Sequence, residues 1–343
     1  MIKRTIAAFC CGFLLLPLAG CDSAQVSDAD GDDPSIANVA LFPVERNGDW
    51  GYMDPTGRLV IQPTYNDAYP FSEGYAPASN WVSGRGTVWY YLRSDGSTAF
   101  EIEASFAYPF YEGRARVRAD GKWGFIDTTG AYIVNPYMNS ASDFSDGRAR
   151  VKTTGWQYGF MDTSGQIVIE PEFDEIENFS DGLALFEDEG RFGYLDTNGG
   201  IAIAPQFDEA RSFSDGRAAV KVGDNWGYIN TGGQFVIQPQ YISAGDYAEG
   251  MAPVRTENQW EYVDATGARV IAPSFDGARA FSENRAAVMI GEMWTFARPD
   301  GSQIHSAEFN EVWDFEGGLA RVRIDERIGY INAQGSYVWF PEN

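Results

Sequence analysis

Trp50-Gly51-Tyr52-Met53-Asp54-Pro55-Thr56-Gly57 is the first copy of a motif that recurs down the chain and decides the fold. Most copies begin with an apolar residue, usually Trp, and continue with a small residue, an aromatic, an aliphatic and a turn that ends in Gly. The nine lead positions are Trp50, Trp89, Trp123, Tyr158, Phe192, Trp226, Trp260, Trp294 and Ile328, spaced by 39, 34 and 35 residues and then by 34 five times. A fixed period in the range of roughly 20–50 residues means that one supersecondary unit is copied and stacked. The sequence therefore predicts a tandem array.

The sixth copy shows the repeating unit most clearly. Residues 217–222 are rich in Ala and Val, residues 226–230 carry the motif, and residues 234–238 form a third run, with Gly, Asn and Asp between them. Runs of β-branched and aromatic residues bounded by turn residues predict strands. Pro239 ends the third run, because proline cannot donate to a strand ladder. We therefore predict an all-β array of nine three-stranded antiparallel units over residues 39–343.

A connector with its own signature joins successive units. An aromatic residue is followed by Ser, an acidic residue and Gly, as in Phe144-Ser145-Asp146-Gly147, and the same pattern surrounds Phe71, Phe179 and Phe213. Ser-Asp-Gly is turn chemistry, in which Gly supplies a positive φ. We expect the aromatic residue to fill the junction between neighbouring units.

Together these motifs resemble the WG repeat family of bacterial β proteins over residues 39–343. The resemblance implies a repeat scaffold and brings no catalytic residue with it. Trp-Gly itself is intact at Trp50-Gly51, Trp123-Gly124 and Trp226-Gly227. Other copies replace the Gly with Tyr90, Glu261 or Thr295, so the Gly is not a steric requirement of every unit.

The two ends of the array bear on whether it closes. It begins with residues 39–44, which match the first strand of a unit, and it finishes with residues 337–340, which match a third strand. No unit is therefore split between the termini. Many propellers do split one unit in this way, so that strands from the two ends of the chain close the ring. Nine units also exceed the usual blade number of about four to eight. We expect an open, twisted stack, with a closed propeller-like ring as the alternative.

Residues 1–20 follow the plan of an export signal. Lys3 and Arg4 form a charged region, and an apolar run too short to span a bilayer follows them. Leu18-Ala19-Gly20-Cys21 then resembles the lipobox of bacterial lipoproteins. The resemblance implies cleavage between Gly20 and Cys21 and acylation of Cys21, whereas an ordinary signal peptide is the alternative. We predict a protein of the bacterial cell envelope that is anchored to the membrane by lipid.

The segment after the lipobox indicates which membrane holds the protein and predicts a flexible tether. Asp22 resembles the inner-membrane retention signal of enterobacterial lipoproteins, so we favour the periplasmic face of the inner membrane over the outer membrane. Residues 21–38 hold the lipidated Cys and an aspartate-rich stretch that reads as a flexible tether. A calcium loop counted from Asp28 is the alternative, but Asp33 and Val39 stand where an EF-hand needs Gly and Glu. We predict no metal and no cofactor.

The charge of the chain narrows the choice of partner. The formal net charge is −24, and removal of Lys3 and Arg4 with the signal gives −24 − 2 = −26. A surface of this sign repels phosphate backbones, so nucleic acid is a poor partner. We expect an envelope protein or a cationic ligand, although the charge could equally serve solubility alone.

No catalytic constellation stands out in the sequence. His305 is the only histidine, so a Ser-His-Asp triad would depend on that residue. Asp127-Thr128-Thr129-Gly130 is similar to the aspartic protease motif, but it has an additional residue before the Gly. Arg93 and Arg298 occupy the place of the Asp in other copies, which indicates a turn position. We therefore predict a non-enzymatic scaffold that binds a protein or a ligand.

The second hypothesis is a glycan-directed binding module or hydrolase. The lead positions accept Phe192 and Ile328 as well as Trp, which favours a packed core over a ligand platform. The candidate ligand contacts are therefore the tryptophans outside the recurring position, namely Trp81, Trp156, Trp313 and Trp339. A cluster of these residues with carboxylates in one cleft would favour the glycan hypothesis. Scattered tryptophans would favour the scaffold.

Overall fold

The computed structural model describes residues 40–306 and 308–340, which form nine small antiparallel sheets, or blades. Seven blades have four strands and two have three. We name the strands of a complete blade A to D in chain order. The units expected to have three strands therefore gain a fourth, strand A, which the connector supplies.

The strands of blades 1–3 are β1 (Phe42–Arg46), β2 (Asp49–Met53) and β3 (Leu59–Tyr65), then β4 (Asp67–Ala68), β5 (Ala76–Val82), β6 (Gly86–Leu92) and β7 (Thr98–Glu103), then β8 (Phe106–Ala107), β9 (Arg114–Ala119), β10 (Lys122–Asp127) and β11 (Tyr132–Met138). Those of blades 4–6 are β12 (Ser140–Ala141), β13 (Arg148–Lys152), β14 (Tyr158–Asp162) and β15 (Ile167–Phe173), then β16 (Ile176–Ser180), β17 (Leu183–Asp188), β18 (Arg191–Asp196) and β19 (Ile201–Phe207), then β20 (Glu209–Ala210), β21 (Arg217–Val222), β22 (Asn225–Asn230) and β23 (Phe235–Tyr241). Those of blades 7–9 are β24 (Ser243–Ala244), β25 (Met251–Thr256), β26 (Gln259–Asp264) and β27 (Arg269–Phe275), then β28 (Gly277–Ser282), β29 (Arg285–Ile290) and β30 (Met293–Ala297), then β31 (Glu311–Glu316), β32 (Leu319–Ile324), β33 (Arg327–Asn332) and β34 (Tyr337–Trp339). Blade 1 corresponds to strands B to D, and blade 8 to strands A to C.

The core lies between the blades, where the aromatic residue of the motif packs on the connector aromatic of the next blade. Eight such pairs recur at a separation of 19 residues, with ring centroids 4.7–5.1 Å apart. The pairs are Tyr52–Phe71, Tyr91–Phe110, Phe125–Phe144, Phe160–Phe179, Tyr194–Phe213, Tyr228–Tyr247, Tyr262–Phe281 and Phe296–Phe315. The expectation that the connector aromatic fills the junction is confirmed.

The blades close into a ring, a nine-bladed propeller, so the expected open stack was wrong and the alternative is right. Tyr330 of blade 9 contacts Phe42 of blade 1, with ring centroids 5.8 Å apart. The Tyr330 hydroxyl donates a hydrogen bond to the Pro43 carbonyl at 2.8 Å. Val44 and Met53 of blade 1 share a buried cluster with Tyr330 and with Leu319, also of blade 9. Closure needs no split blade, because side-chain packing between two intact end blades takes the place of strand exchange.

The A–B turns lie toward the axis of the ring. In seven of them the acidic side chain accepts a hydrogen bond from the backbone amide of the next blade's turn, at 2.7–2.9 Å. The links run from Glu73 to Gly113, Glu112 to Gly147, Asp146 to Gly182, Asp181 to Gly216, Asp215 to Gly250, Glu249 to Asn284 and Glu283 to Gly318. Blades in a ring converge toward the axis, so equivalent turns that touch directly must lie near it.

The antiparallel strand order gives the propeller two distinct faces. The hairpins between strands B and C lie on one face, together with the links from strand D to the next strand A, and we call it the hairpin face. The A–B and C–D turns lie on the opposite, or turn, face. Arg148, at the start of a strand B, illustrates this face, because it donates to the carbonyl of Thr197 in the C–D turn of the next blade at 3.0 Å.

The glycine of Trp-Gly marks a close crossing, where a β-bulge carries the backbone of strand D over the glycine in strand C. A Cβ atom on Gly193 would lie 2.6 Å from the Ile203 carbonyl oxygen and 2.7 Å from the Pro205 nitrogen. The same geometry recurs at Gly51, Gly124, Gly159 and Gly227, each with a proline 12 residues later. Blade 2 has Tyr90 and no such proline, and there strand D pairs with strand C in regular register from Val88 to Tyr91. The glycine is therefore dispensable where the crossing is absent.

Candidate functional site

Two B–C hairpins depart from the regular blade, and both lie on the hairpin face. In seven blades the hairpin strands are joined by two residues, and the paired core residues, such as Ala115 and Ile126, are 11 positions apart. The equivalent pairs are 16 positions apart in blade 2 and 12 apart in blade 4. These insertions of five residues and one account for the lead spacings of 39 and 35 in an array of period 34. Insertions in repeat arrays map to loops on one face, which is often the binding face.

Each inserted hairpin exposes a tryptophan. Trp81 of blade 2 is 68% exposed, and Trp156 of blade 4 is 89% exposed, which makes them the most exposed large apolar side chains among the described residues. Single exposed apolar side chains are common in folded proteins, whereas several large ones on the same face are typical of a surface that interacts with other molecules. Both residues are candidate contacts from the sequence, and the structure places them on the same face with one blade between them.

Blade 3 adds two further aromatic side chains between these hairpins. Phe106 begins strand A and Tyr137 lies near the end of strand D, so both are at the hairpin face, and each is 42% exposed. Asn139 joins this region to the loop of Trp156, because its side chain donates to the Gly155 carbonyl at 3.3 Å. We call Trp81, Phe106, Tyr137 and Trp156 the aromatic surface.

The charges around the aromatic surface are mixed, although the chain as a whole is acidic. On the hairpin of blade 2, Arg85 bonds to Glu101 at 2.8 Å and to Glu103 at 2.6 Å. In blade 3, Lys122 donates to the Asn139 side chain at 2.6 Å. In blade 4, Lys152 lies 3.8 Å above the Tyr158 ring. The arrangement suits an apolar contact with a polar rim, rather than capture of a cationic ligand by carboxylates.

The other two candidate tryptophans lie in blade 9. Trp313 is in strand A, and the guanidinium of Arg321 lies 4.2 Å above its ring. Trp339 lines a cavity of about 420 Å³ between blades 9 and 1, together with Trp50 and Arg321. We call this space the seam cavity. The four tryptophans therefore share no single cleft in the described part of the chain, and this scatter favours the scaffold hypothesis over a glycan cleft.

A second cavity, of about 680 Å³, lies on blade 7. It is lined by Thr256, Glu257, Asn258, Gln259, Arg269, Pro273 and Asp276. None of these side chains is aromatic, so the cavity offers no ring on which a sugar could stack.

The aspartates of the C–D turns cap their own turns. Asp127 Oδ1 accepts the backbone amides of Thr129 at 2.9 Å and Ala131 at 3.1 Å. Hydrogen bonds from the hydroxyl and the amide of Thr129 stabilise the ionised Asp127 carboxylate and therefore lower its pKa. Burial alone would raise the pKa of Asp54, but hydrogen bonds from Thr56 and Arg58 outweigh it and lower that pKa to about 2. These carboxylates therefore stabilise their own turns.

His305 does not have the geometry of a catalytic triad. Its Nδ1 lies 3.4 Å from the Ser306 hydroxyl and 3.6 Å from a Glu308 carboxylate oxygen. A triad needs the nucleophile and the orienting carboxylate on different ring nitrogens. Here both groups approach the same nitrogen, so the arrangement cannot pass a proton from serine to histidine in that way.

The lead positions are less uniform than the sequence suggested. Trp89 and Trp226 are buried, with 2% and 8% of their surface exposed, as expected for core residues. The other lead residues are half-buried, and several pack against arginines, as Trp294 does under Arg279 at 4.6 Å. Phe106, Tyr137 and Arg321 were not predicted as site residues from the sequence, although the irregular spacings of the lead positions indicated the inserted hairpins of blades 2 and 4, on either side of Phe106 and Tyr137.

The lipid-anchor residues lie outside the described part of the chain. This applies to Gly20, Cys21, the export signal, the tether and the calcium alternative at Asp28. Within residues 40–306 and 308–340, no helix is long and apolar enough to cross a membrane. Over the same residues, no three or more His, Cys, Asp or Glu side chains are grouped to hold a metal ion.

The family model described as WG containing repeat matches eight segments of the chain. They are residues 50–80, 95–123, 123–155, 158–191, 192–226, 226–260, 262–294 and 294–327. The chain belongs to the WG repeat family.

Among solved structures, the WG repeat chain is similar to a crystal structure of the eukaryotic initiation factor. The TM-score is 0.62 at 10% sequence identity, with 89% of this chain and 96% of the other covered. It also matches BamB from Moraxella catarrhalis at 14% identity and a TM-score of 0.46, over 75% of this chain and 93% of the other. No curated protein sequence matches the chain. At such identities the likeness to the initiation factor supports the propeller fold alone.

Proposed function

We propose that this WG repeat protein is a non-enzymatic scaffold of the bacterial cell envelope, and that it docks a partner protein on its aromatic surface. The observation that carries the proposal is that both insertions in the array expose a tryptophan on the same face. A repeat array tolerates insertions in loops without disturbing its core, so an insertion that places Trp in water needs a gain elsewhere.

The aromatic surface has the composition of a binding hot spot. Tryptophan is enriched among residues whose truncation costs about 2 kcal/mol or more of binding free energy. Trp81 and Trp156 lie in the blades on either side of blade 3, whose Phe106 and Tyr137 are exposed on the same face. The mixed charges nearby form a polar rim of the kind found around protein–protein contacts. A protein partner suits this layout better than a small ligand, which would require one enclosed cleft.

The anchor proposed from the sequence would leave the aromatic surface accessible. The described chain begins at Ala40, just before strand B of blade 1, and strand B starts on the turn face. Ala40 lies beside Gly317 in the A–B turn of blade 9, on the same face. A tether reaching this point from an acylated Cys21 joins the propeller opposite the hairpins. The hairpin face can then point away from the membrane, toward a partner in the periplasm.

Substitution of the two exposed tryptophans tests the docking proposal. We expect Trp81→Ala and Trp156→Ala each to weaken capture of a partner by at least about tenfold, since each removes a hot-spot ring. Crosslinking in cells, followed by titration of the captured partner, measures the loss. Val222→Ala is the matched control, because Val222 lies at the end of a strand B next to a regular hairpin and is 46% exposed. Equal capture by all three variants and the parent would refute the docking surface.

Substitution of the candidate lipidated residue tests the anchor. Cys21→Ser should abolish incorporation of labelled fatty acid and release the protein from membranes, because no other cysteine remains after the export signal. Cys10→Ser lies within that signal and serves as the control, with labelling expected to be retained. Fatty acid found on the Cys21→Ser protein would contradict the assignment.

A further inference from the structure

Blade 1 differs from every other blade along its inner edge. Blades 2–9 each have a strand A paired to strand B; in blade 3, for example, Ala107 pairs with Val117 and Phe106 with Arg118. The residues of blade 1 in these two places of strand B are Val44 and Glu45. Among the described residues no strand pairs with them on the side away from β2, and both line the seam cavity. The seam cavity thus lies along the edge on which a strand A would add.

Arg321 indicates which hydrogen-bond acceptors a strand A in blade 1 would supply. By its pairing with Tyr330 it is equivalent to Arg116, which pairs with Phe125, and to Arg150, which pairs with Phe160.

In blades 3 and 4 the equivalent arginine bonds to strand A of the following blade. Arg116 Nε bonds to the Asp143 carboxylate at 2.6 Å, and a second nitrogen donates to the Ala141 carbonyl at 3.5 Å. Arg150 donates to the Ile176 carbonyl and lies 3.8 Å from the Glu177 carboxylate. Strand A, together with Asp143 just beyond it in blade 4, therefore offers these arginines both a backbone carbonyl and a carboxylate.

Among the described residues Arg321 has neither partner, because the blade that follows it is blade 1. Its Nε is buried without a hydrogen bond, and its guanidinium rests on Trp313 at the edge of the seam cavity. A buried donor that lacks a partner is unfavourable, so a ligand that supplies an acceptor gains binding free energy. Carboxylate and peptide carbonyl oxygens are the acceptors that match a guanidinium.

We propose that the seam cavity binds an extended acidic segment of a partner protein, which adds to β1 as a strand A. Its backbone pairs with Val44 and Glu45, and its carboxylate bonds to Arg321, as Asp143 does to Arg116. Arg46 and Arg327 also line the cavity but make contacts of their own, so Arg321 is the residue that favours a carboxylate there. Addition of a strand to an open sheet edge is an established mode of peptide recognition.

The residues just before β1 do not suit the A–B turn that would connect a strand A from this chain to β1. A–B turns use consecutive positive φ angles, as at Asp181 with 53° and Gly182 with 78°. The residues in register with this turn ahead of β1 are Val39 and Ala40. A β-branched valine is strongly disfavoured at positive φ. A segment from a partner therefore fits the edge better than a tight turn from the preceding residues.

A peptide that copies strand A of blade 4 tests the proposal. The probe is a labelled peptide of residues 138–144, Met-Asn-Ser-Ala-Ser-Asp-Phe, and its binding to the full chain is measured by fluorescence anisotropy. We expect Arg321→Gln to weaken binding at least about tenfold, and a probe with Asn in place of Asp to lose a similar factor. Arg323→Gln, on the same strand but paired with Glu311 at 2.6 Å, should leave binding unchanged. Binding indifferent to both Arg321→Gln and the Asn probe, or no binding at all, would overturn the proposal.

Two further sets of variants distinguish the seam cavity from the aromatic surface, and a partner segment from a segment of this chain. Trp81→Ala and Trp156→Ala should leave probe binding intact, so failure at the seam and failure at the aromatic surface are distinguishable. The acidic residues Asp28, Asp30, Asp32 and Asp33 of the chain are changed to Asn in a second variant. If the probe binds only to this variant, the segment before residue 40 competes for the cavity, and the partner assignment is wrong.

Discussion

The glycine of Trp-Gly is a packing requirement rather than a turn signal. Strand D crosses strand C at this residue, and the proline 12 positions later belongs to the same crossing. Blade 7 has Glu261 instead, and its buried carboxylate is paired with Arg269. In blade 7 the larger residue is thus paired with a residue of strand D itself.

This crossing makes a prediction for Gly193. Gly193→Ala should destabilise the fold by about 1–3 kcal/mol, because the new methyl group would lie 2.6 Å from the Ile203 carbonyl oxygen. Gly155→Ala is the matched control, since nothing lies within 4 Å of a Cβ atom there. Chemical denaturation measures both, and equal midpoints for the two variants would show that strand D moves aside at no cost.

Some residue roles were readable from the sequence because the chain repeats them. The Asp of the C–D turns was assigned to turn chemistry from its exchange with Arg93 and Arg298, and the geometry at Asp127 agrees. The role of Arg321 was not readable, since it depends on what the next blade lacks. Repetition reveals shared roles, whereas a residue that acts through its position in the ring needs the structure.

The A–B turns act as elements that join neighbouring blades. Each acidic residue lies at positive φ and accepts the amide of the next turn, as Asp181 does from Gly216 at 2.7 Å. The Ser-Asp-Gly signature predicted a turn, but the partner of the carboxylate lies 35 residues away and no local pattern encodes it. The acidic composition that suggested a cationic ligand is thus partly explained by these links.

Substitution of one turn residue tests this role. Asp181→Ala should lower the free energy of unfolding by about 1 kcal/mol, because it removes an acceptor and places Ala at a φ of 53°. Asp181→Asn should cost less, since Asn tolerates positive φ and keeps a side-chain acceptor. Equal losses for Ala and Asn would mean that charge, rather than geometry, is what the link needs.

At the scale of the whole molecule, the sequence predicted the number and class of the blades but not their closure. The phase of the termini argued against a latch, and the latch is absent from the described residues, yet the ring closes through Phe42 and Tyr330. Phe42 belongs to no recurring motif, because the other aromatic partners come from connectors and blade 1 has no equivalent in the described chain. The inserted hairpins, by contrast, were encoded in the spacings of 39 and 35.

Closure gives the junction between blades 9 and 1 the same kind of tyrosine hydrogen bond as an interior junction, and one hydroxyl group tests this. Tyr330 donates across the closing junction to Pro43, and Tyr228 donates across an interior junction to Gly245, both at 2.8 Å. In a ring, Tyr330→Phe and Tyr228→Phe should each lower the free energy of unfolding by about 1 kcal/mol, because each leaves a carbonyl without its donor. In an open array the Tyr330 hydroxyl would face water, and its removal would cost nothing. Denaturant titration of the two variants beside the parent separates the cases, since only a closed propeller makes the last tyrosine as costly to change as the interior one.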